Sequence, residues 1–298
     1  MTYSIVARDP ATGQLGVGVQ SCAFMTGPVV AWAEAGVAAV ATQAFAEVAY
    51  GPRLLAALRD GASATDALTK LVANDAMQAM HQVGVVDAHG GAAAHTGAST
   101  VPETGHRIGD GYSVQANTML RTTVPDAMAT AFEAASGDLS LRLLEALDAA
   151  EAEGGDLRGR LSARILVVEG ARADTPGHGV VLDIGVEAHP YPLDELRRLR
   201  HLGEAHAHLE AALDALEQGD PNAVLEHIDR IGPELGHVAE RPLVHAAALM
   251  FLGRMDDARK VIAAYEGDPS IPRTYAQRLR AAGIMPVDEA TLDDLFGT

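Results

Sequence analysis

The first forty-five residues alternate between short apolar runs and turn-forming residues. Two runs rich in β-branched and small apolar residues, Tyr3–Val6 and Leu15–Ser21, flank the segment "DPATGQ". A Pro/Gly turn between two such runs predicts a β-hairpin. The next apolar stretch, "GVAAVATQAF" at 36–45, predicts a further strand or buried segment.

The pattern then changes to helical spacing and back again. Residues 51–61 and 63–75 have the periodicity of two helices, with Pro52 in the first turn of one and Ser63 capping the other. A second hairpin is predicted in "HQVGVVDAHGGAAAHTG", turning at Gly90-Gly91, and a strand in "GYSVQANTML". Two more helices, at 123–136 and 139–153, precede the strands "LSARILVVEG" and "VVLDIGVEAH". Such segregated blocks predict an α+β fold in which antiparallel sheets carry layers of helices.

Beyond Pro190 the strand pattern ends and Ala, Leu, Glu and His follow at helical spacing. We therefore predict two domains, residues 1–190 and an all-α domain at 191–298. In the second, "AALDALEQGDPNAVLEHI" matches "HAAALMFLGRMDDARKVI" when Gly219 is laid on Gly253. The separation of 34 residues is the tetratricopeptide period, so a short helical repeat is expected.

Composition restricts the function classes. The chain has 298 residues, 48% hydrophobic and 21% charged, with a formal net charge of −18, so we expect a packed globule that does not bind nucleic acid. The single cysteine, Cys22, excludes an internal disulfide. No apolar run reaches the roughly 20 residues that span a bilayer, and no secretory signal is recognisable. A cytoplasmic protein without membrane contact is expected.

Thr2 is the residue with the most specific potential chemistry. A threonine hydroxyl needs a base to become a nucleophile, and the α-amine of an N-terminal threonine has a pKa of about 8 that suits this task. Thr2 follows Met1 and enters the first predicted strand without a lead-in. Removal of Met1 would place the amine and the hydroxyl on one rigid residue.

Several segments of the first domain together carry a family resemblance. The segments are "TYSIVARDPATGQLGVGVQS", "VVAWAEAGVAAVATQAF", "GPRLLAAL", "VGVVDAHGGAAAHTG" and "EGGDLRGRLSARILVV". In these the chain resembles the domain of unknown function 1028 family, which is assigned to the N-terminal-nucleophile (Ntn) hydrolase superfamily. The resemblance implies a four-layer αββα sandwich of two antiparallel sheets between helix layers, here followed by the small helical-repeat domain.

The resemblance also implies roles for individual residues. Thr2 would be the nucleophile and its own amine the base, with Ser21 as a partner of the amine and Asn117 as an oxyanion donor. Asp156 and Arg158 in "GGDLRG" would bind the α-amino and carboxylate groups of a substrate. The chain departs from proteasome-type members, which place a lysine near the nucleophile: its only lysines, Lys70 and Lys260, lie in predicted helices.

Each of these residues also has a structural interpretation. Thr2 can be an ordinary strand-start residue. Gln43 in "VATQAF" is a further candidate for substrate binding, but it can also be a strand-end hydrogen-bonding group. Asp156 and Arg158 can form a salt-bridged turn. Cys22 is interpreted as a small packing residue rather than a nucleophile. The second hairpin carries further candidates, some of which could bind a metal ion from one face of a strand: His81, Asp87, His89 and His95. The turn at Gly90-Gly91 interrupts that face.

The sequence thus predicts an Ntn-type amide hydrolase that acts on a small amino-acid derivative or peptide. No cofactor and no metal are assigned, and a homodimer is expected. The alternative is a non-catalytic binding or assembly protein that uses the sandwich as a scaffold and the helical domain as its partner surface. A metal-dependent hydrolase using the hairpin histidines is a third hypothesis.

Overall fold

A computed structural model describes residues 2–175 and 177–297. Contacts divide the chain into two compact units, one ending at Arg200 and one beginning at His201. The boundary between the units lies within a long helix, whereas the sequence pattern places the domain boundary directly after Pro190. Among the helices of the described ranges, none has the length and apolar character needed to cross a bilayer.

The first unit is a mixed α+β structure. Its strands and helices, in chain order, are β1 (Thr2–Arg8), β2 (Leu15–Ser21), α1 (Thr26–Val30), β3 (Ala31–Glu34), β4 (Ala38–Ala44), α2 (Tyr50–Arg59), α3 (Ala64–Ala73), β5 (His81–Asp87), β6 (Ala92–Thr96), β7 (Gly105–Gly109), β8 (Tyr112–Asn117), α4 (Val124–Ala134), α5 (Leu139–Ala152), β9 (Ser162–Val168) and β10 (Val180–Val186). The helix α6 (Pro192–Glu217) begins in this unit.

The strands form two antiparallel sheets, which confirms the predicted sheet type. The larger sheet has the order β10-β9-β2-β1-β8-β7 and the smaller one β3-β4-β5-β6. The hairpin β1–β2 is the one that the sequence predicts, and β1 is central in its sheet. A central strand with neighbours on both sides gives its first residue a fixed position.

Three apolar clusters account for the packing. Side chains of β1 and β8 form one cluster with those of α4 and α5, with Ile5 and Leu147 among its members. Side chains of β4 and β5 form a second cluster with those of α2 and α3, with Val83 and Leu54 among its members. The third cluster joins the two sheets, with Val17 of the larger sheet and Ala41 of the smaller one.

The glycines of β2 are explained by the close approach of α5. A Cβ atom on Gly16 would lie 2.8 Å from Leu143 Cδ1, and one on Gly18 would lie 3.3 Å from Leu147 Cδ1. The glycine-rich strand therefore contacts a helix rather than a ligand.

The second unit is helical throughout its described residues, as predicted. After α6 it contains α7 (Pro221–Ile228), α8 (Glu240–Phe251), α9 (Met255–Ala263), α10 (Ser270–Ala281) and α11 (Glu289–Phe296). Gly219 and Gly253 both have a left-handed φ, 74° and 72°, and connect α6 to α7 and α8 to α9. Each turn has the same hydrogen bonds: Gly219 N–H donates to Leu216 and Gly253 N–H to Met250. The turns at Gly219 and Gly253 thus have the same local geometry.

Candidate functional site

Thr2 lies at the first position of β1, between β2 and β8, and only 4% of it is exposed. Its Oγ1 donates a hydrogen bond of 3.2 Å to Ser21 Oγ at the end of β2. Ser21 Oγ also accepts the N–H of Ala23 at 3.2 Å. Because β1 and β2 are antiparallel, the hairpin brings its first and last residues together. Two of the predicted site residues are therefore in direct contact.

The main chain of Thr2 is held from two directions. Its carbonyl oxygen accepts a hydrogen bond of 3.1 Å from Gln43 Nε2 and one of 3.2 Å from Asn117 Nδ2. Asn117 is the cross-strand partner of Thr2 on β8, whereas Gln43 reaches it from β4 of the other sheet. Both amide side chains are at most 1% exposed. They fix the position of the residue that carries the candidate nucleophile.

A third amide, Gln82 on β5, joins these two. Its Oε1 accepts hydrogen bonds from Gln43 Nε2 at 2.7 Å and from Asn117 Nδ2 at 2.9 Å. Its Nε2 donates to Thr96 Oγ1 at 2.9 Å and to the carbonyl of Ala116 at 3.0 Å. Sequence reasoning missed Gln82. The available signal was a polar residue beside the apolar run "VGVV", where a buried amide must find partners.

The polar network continues along the sheet interface. Ser4 Oγ donates to Gln43 Oε1 at 2.7 Å and accepts from Gln115 Nε2 at 3.1 Å. Gly84 leaves the room that Gln115 occupies, because a Cβ there would lie 2.2 Å from Gln115 Oε1. At this end of the unit the two sheets are thus joined by hydrogen-bonded amides and hydroxyls rather than by apolar side chains.

Two oxygen atoms beside Thr2 are buried without a hydrogen-bond partner among the described residues: Asn117 Oδ1 and Thr118 Oγ1. Thr118 also has a left-handed φ of 61°. A β-branched residue in that region is strained, and such strain concentrates at functional sites. Both hydrogens of Asn117 Nδ2 are engaged, by Thr2 and Gln82.

Asp156 and Arg158 lie close to the end of β2. The buried Asp156 carboxylate accepts hydrogen bonds from the backbone N–H of Arg158 at 2.9 Å and from its Nη2 at 2.9 Å. This segment is joined to the end of β8 through Leu157 N–H, which donates to the Thr118 carbonyl at 3.1 Å. Burial raises the pKa of the Cys22 thiol, and the Asp156 carboxylate adds to this, against an opposing effect of Arg158. A raised pKa disfavours a Cys22 thiolate.

The hairpin histidines do not converge on one point. His81 Nε2 lies 3.2 Å from Asp75 Oδ2, and its Nδ1 contacts the carbonyl of Phe45. Asp87 Oδ1 instead accepts the backbone N–H groups of His89 and Gly91, both at 2.9 Å. Within residues 2–175 and 177–297 no three His, Cys, Asp or Glu side chains are grouped as metal ligands.

Two surface concavities lie away from Thr2. One is lined by residues of α9 and by Asp294, and the other lies between α3 and β6.

Comparison of this chain with known proteins identifies its family. The model of the "Family of unknown function (DUF1028)" matches residues 2–196. The chain is also similar to the crystal structure of a DUF1028 protein from Silicibacter pomeroyi, with 30% sequence identity and a TM-score of 0.60. The alignment covers 67% of this chain and 87% of that protein. Among the curated proteins none matches. The family match over most of the first unit, together with this similarity, shows that the chain belongs to the DUF1028 family.

Proposed function

We propose that this protein is an amide hydrolase of the N-terminal-nucleophile type, with Thr2 as the nucleophile after removal of Met1. The observation that carries the proposal is the buried hydrogen bond between Thr2 Oγ1 and Ser21 Oγ at the start of a central strand. The carbonyl oxygen of Thr2 is in addition held by hydrogen bonds from two amide side chains. Such rigid placement of a weak nucleophile is what covalent catalysis requires.

The packing clusters support the superfamily placement. Helices α4 and α5 contact the larger sheet, α2 and α3 contact the smaller one, and apolar side chains join the sheets to each other. This order fits an αββα sandwich of the Ntn type. The repeated turns at Gly219 and Gly253 likewise fit a tetratricopeptide-like pair of helical hairpins.

The proposed reaction has two steps. The neutral α-amine of Thr2 takes the hydroxyl proton while Oγ1 attacks the substrate carbonyl carbon. The carbon–nitrogen bond then breaks, the proton passes to the leaving amine, and an ester to Thr2 remains. Water, deprotonated by the same amine, attacks the ester, and the carboxylic acid product leaves with Thr2 restored.

The neighbouring residues have distinct proposed roles. Ser21 holds the Thr2 hydroxyl, and Gln43 and Asn117 hold its main chain. Asn117 Oδ1, which has no partner among the described residues, is available to accept a hydrogen from the freed amine or from the substrate. Asn117 can act as the oxyanion donor only if Nδ2 exchanges one of its two present bonds on substrate binding.

Mass spectrometry and covalent labelling test the proposal. The intact mass should show a chain that begins at Thr2, and an alkyl β-lactone should add one acyl group to that residue. Thr2→Ala should abolish the label, Thr2→Ser should retain it, and the matched control Thr130→Ala, on the exposed face of α4, should not change it. Hydrolysis by a preparation that retains Met1, or undiminished hydrolysis by Thr2→Ala, would overturn the proposal.

The burial of Thr2 favours one alternative. With 4% exposure and both of its oxygens hydrogen-bonded, Thr2 also fits a non-catalytic scaffold for binding or assembly. A chain that begins at Thr2 but takes no label and hydrolyses no amide would support this second function.

A further inference from the structure

The three most exposed large apolar side chains among the described residues up to Arg200 are Phe24, Leu157 and Phe45. Their exposed fractions are 64%, 63% and 60%. Phe24 follows Ser21 by three positions, Phe45 follows Gln43 by two, and Leu157 is adjacent to Asp156. Exposed apolar side chains scattered singly need no explanation, but a concentration at one place does.

The strand pairing brings these side chains to one end of the unit. β1 begins at Thr2 and is antiparallel to β2 and β8, so the ends of those two strands lie beside Thr2. β4 ends at Ala44, directly after Gln43, which contacts Thr2. Leu157 is tied to the end of β8 by its backbone hydrogen bond to Thr118. Phe24 and Phe45 therefore each follow a strand end that borders Thr2, and Leu157 is hydrogen-bonded beside a third such end.

A fourth side chain, Leu120, joins this group. It is 50% exposed, and its N–H donates to the Gly155 carbonyl at 3.0 Å, which places it beside the segment that carries Leu157. We call the four residues the apolar collar: Phe24, Phe45, Leu120 and Leu157.

Backbone strain is concentrated in the same segments. The non-glycine residues with a left-handed φ in the described chain are Met25, Ala44, Glu103 and Thr118. Met25 and Ala44 are adjacent to collar phenylalanines, and the Glu103 carbonyl accepts the N–H of Met119 at 3.1 Å. Strain of this kind persists only where the surroundings impose it, and it clusters at ligand sites.

We propose that the collar binds an apolar group, a medium-length alkyl chain or an aromatic ring, on the acyl side of the amide substrate. The inference rests on the proposed function because it assigns the substrate class of the Thr2 site. An amide with such a group matches both parts of the surface. Its alkyl or aryl part covers the collar, and its amide N–H can donate to Asn117 Oδ1, which lacks a partner among the described residues. The amide N–H of such a substrate can satisfy that oxygen, whereas an apolar side chain from a second copy of the chain cannot.

Binding without turnover tests this inference. Thr2→Val keeps the branched shape of the side chain, and isothermal titration of this variant with N-octanoylglycine and N-acetylglycine compares a long acyl group with a short one. Transfer of the additional methylene groups to an apolar surface predicts at least about tenfold tighter binding of the octanoyl compound. Should Thr2→Val fail to fold, octanoate against acetate on the wild-type chain gives the same comparison.

Collar variants locate the site. Phe24→Ser together with Leu157→Ser should reduce the preference for the octanoyl compound by about tenfold and leave N-acetylglycine binding unchanged. The control Phe251→Ser changes an equally exposed side chain, 69% accessible, in the second unit and should have no effect.

Equal affinity for the two compounds would overturn the inference, as would a preference that survives the collar substitutions. A collar variant that turns a dimer into a monomer in sedimentation, without affecting acyl preference, would identify a second copy as the occupant and also overturn it. Failure of the proposed function looks different: Thr2 would take no label while the octanoyl preference remained.

Discussion

Gln43 on the smaller sheet donates a hydrogen bond of 3.1 Å from its Nε2 to the carbonyl oxygen of Thr2 on the larger sheet. The same side chain accepts the hydroxyl hydrogen of Ser4 through Oε1. One buried amide thus joins the two sheets at the residue that the proposed chemistry uses. It couples the stability of the first unit to the position of the candidate nucleophile.

Replacing this amide by an apolar group should be costly. Gln43→Leu leaves the Ser4 hydroxyl without its acceptor and removes a donor from the Thr2 carbonyl, both buried. The Thr2 carbonyl keeps its hydrogen bond from Asn117, so only the Ser4 hydroxyl is left unsatisfied. One such buried group costs about 1–3 kcal/mol, and we expect a loss of about 2 kcal/mol in the free energy of unfolding, measured with urea. The control Gln78→Leu changes an exposed side chain, and an equal loss in both variants would contradict the role of the network.

A carboxyl group introduced into the network should make the stability of the first unit depend on pH. Gln82 is fully buried, and its Nε2 faces the carbonyl oxygens of Gly105 and Ala116 at 3.0 Å. In Gln82→Glu a neutral carboxyl can still donate one hydrogen, but a carboxylate faces those oxygens and lacks water. Burial and repulsion therefore raise the pKa of the new carboxyl.

The stability deficit of Gln82→Glu should grow as the pH rises, because the native state holds a proton that the unfolded chain has released above pH of about 4.3. Urea unfolding of wild type and variant at pH 5 and pH 8 measures this difference. A deficit that is constant over this range would show that the new carboxyl is not confined among the carbonyls.

Sequence patterns predicted the hairpins and the helix pairs, but not three short elements. β7 is a five-residue edge strand between glycines with alternating exposure, α1 contains both Gly27 and Pro28, and β3 has only four residues. In such segments local preference is weak and sheet pairing decides the conformation.

The network was only partly predictable for a different reason. Gln43 and Asn117 stand at strand ends, where a polar residue attracts attention. Gln82 and Gln115 stand within strands, where a polar residue in an alternating pattern is normally assigned to solvent. Here the polar face points to the other sheet, and only the packing of the two sheets reveals this.

The room that Gly84 leaves for Gln115 gives a steric prediction. A Cβ at Gly84 would lie 2.2 Å from Gln115 Oε1, so Gly84→Ala must displace a fully buried amide. Overpacking of this kind costs about 1–3 kcal/mol. Gly105→Ala is the matched control, since its Cβ would have Pro125 Cγ at 3.8 Å as its nearest neighbour. Thermal unfolding of the two variants should differ clearly.

An ion pair supports α5 at the start of the helix. Asp138 caps α5 by accepting the N–H of Leu141, and its Oδ2 accepts a hydrogen bond of 2.5 Å from Nη2 of the buried Arg200. Burial tends to raise the pKa of Asp138, but the hydrogen bonds from Ser140, Arg200 and Leu141 outweigh it and hold the pKa below its ordinary value.

Asp138→Asn keeps a good cap and removes the charge, so it isolates the ion pair. We expect a loss of about 2 kcal/mol at pH 7, because a buried guanidinium loses its carboxylate. A depressed pKa stabilises the native state above pH of about 4 and this contribution disappears as the pH falls below it. The difference between wild type and variant should therefore shrink progressively as the pH falls below about 4, whereas the exposed control Asp110→Asn should follow wild type throughout.

We expect His245 on α8 to make the second unit sensitive to mild acid. Burial lowers the pKa of this imidazole, and Arg241 and Arg254 lower it further against an opposing effect of Asp229. Between the ordinary value of about 6.5 and the lowered one, the unfolded chain binds a proton that the native state does not. Stability should therefore fall as the pH is lowered through this window.

His245→Gln removes the titrating group, so the free energy of unfolding of the variant should depend less on pH between 7.5 and about 5. His206→Gln on the exposed face of α6 is the control, and an equal flattening in both variants would place the acid sensitivity elsewhere.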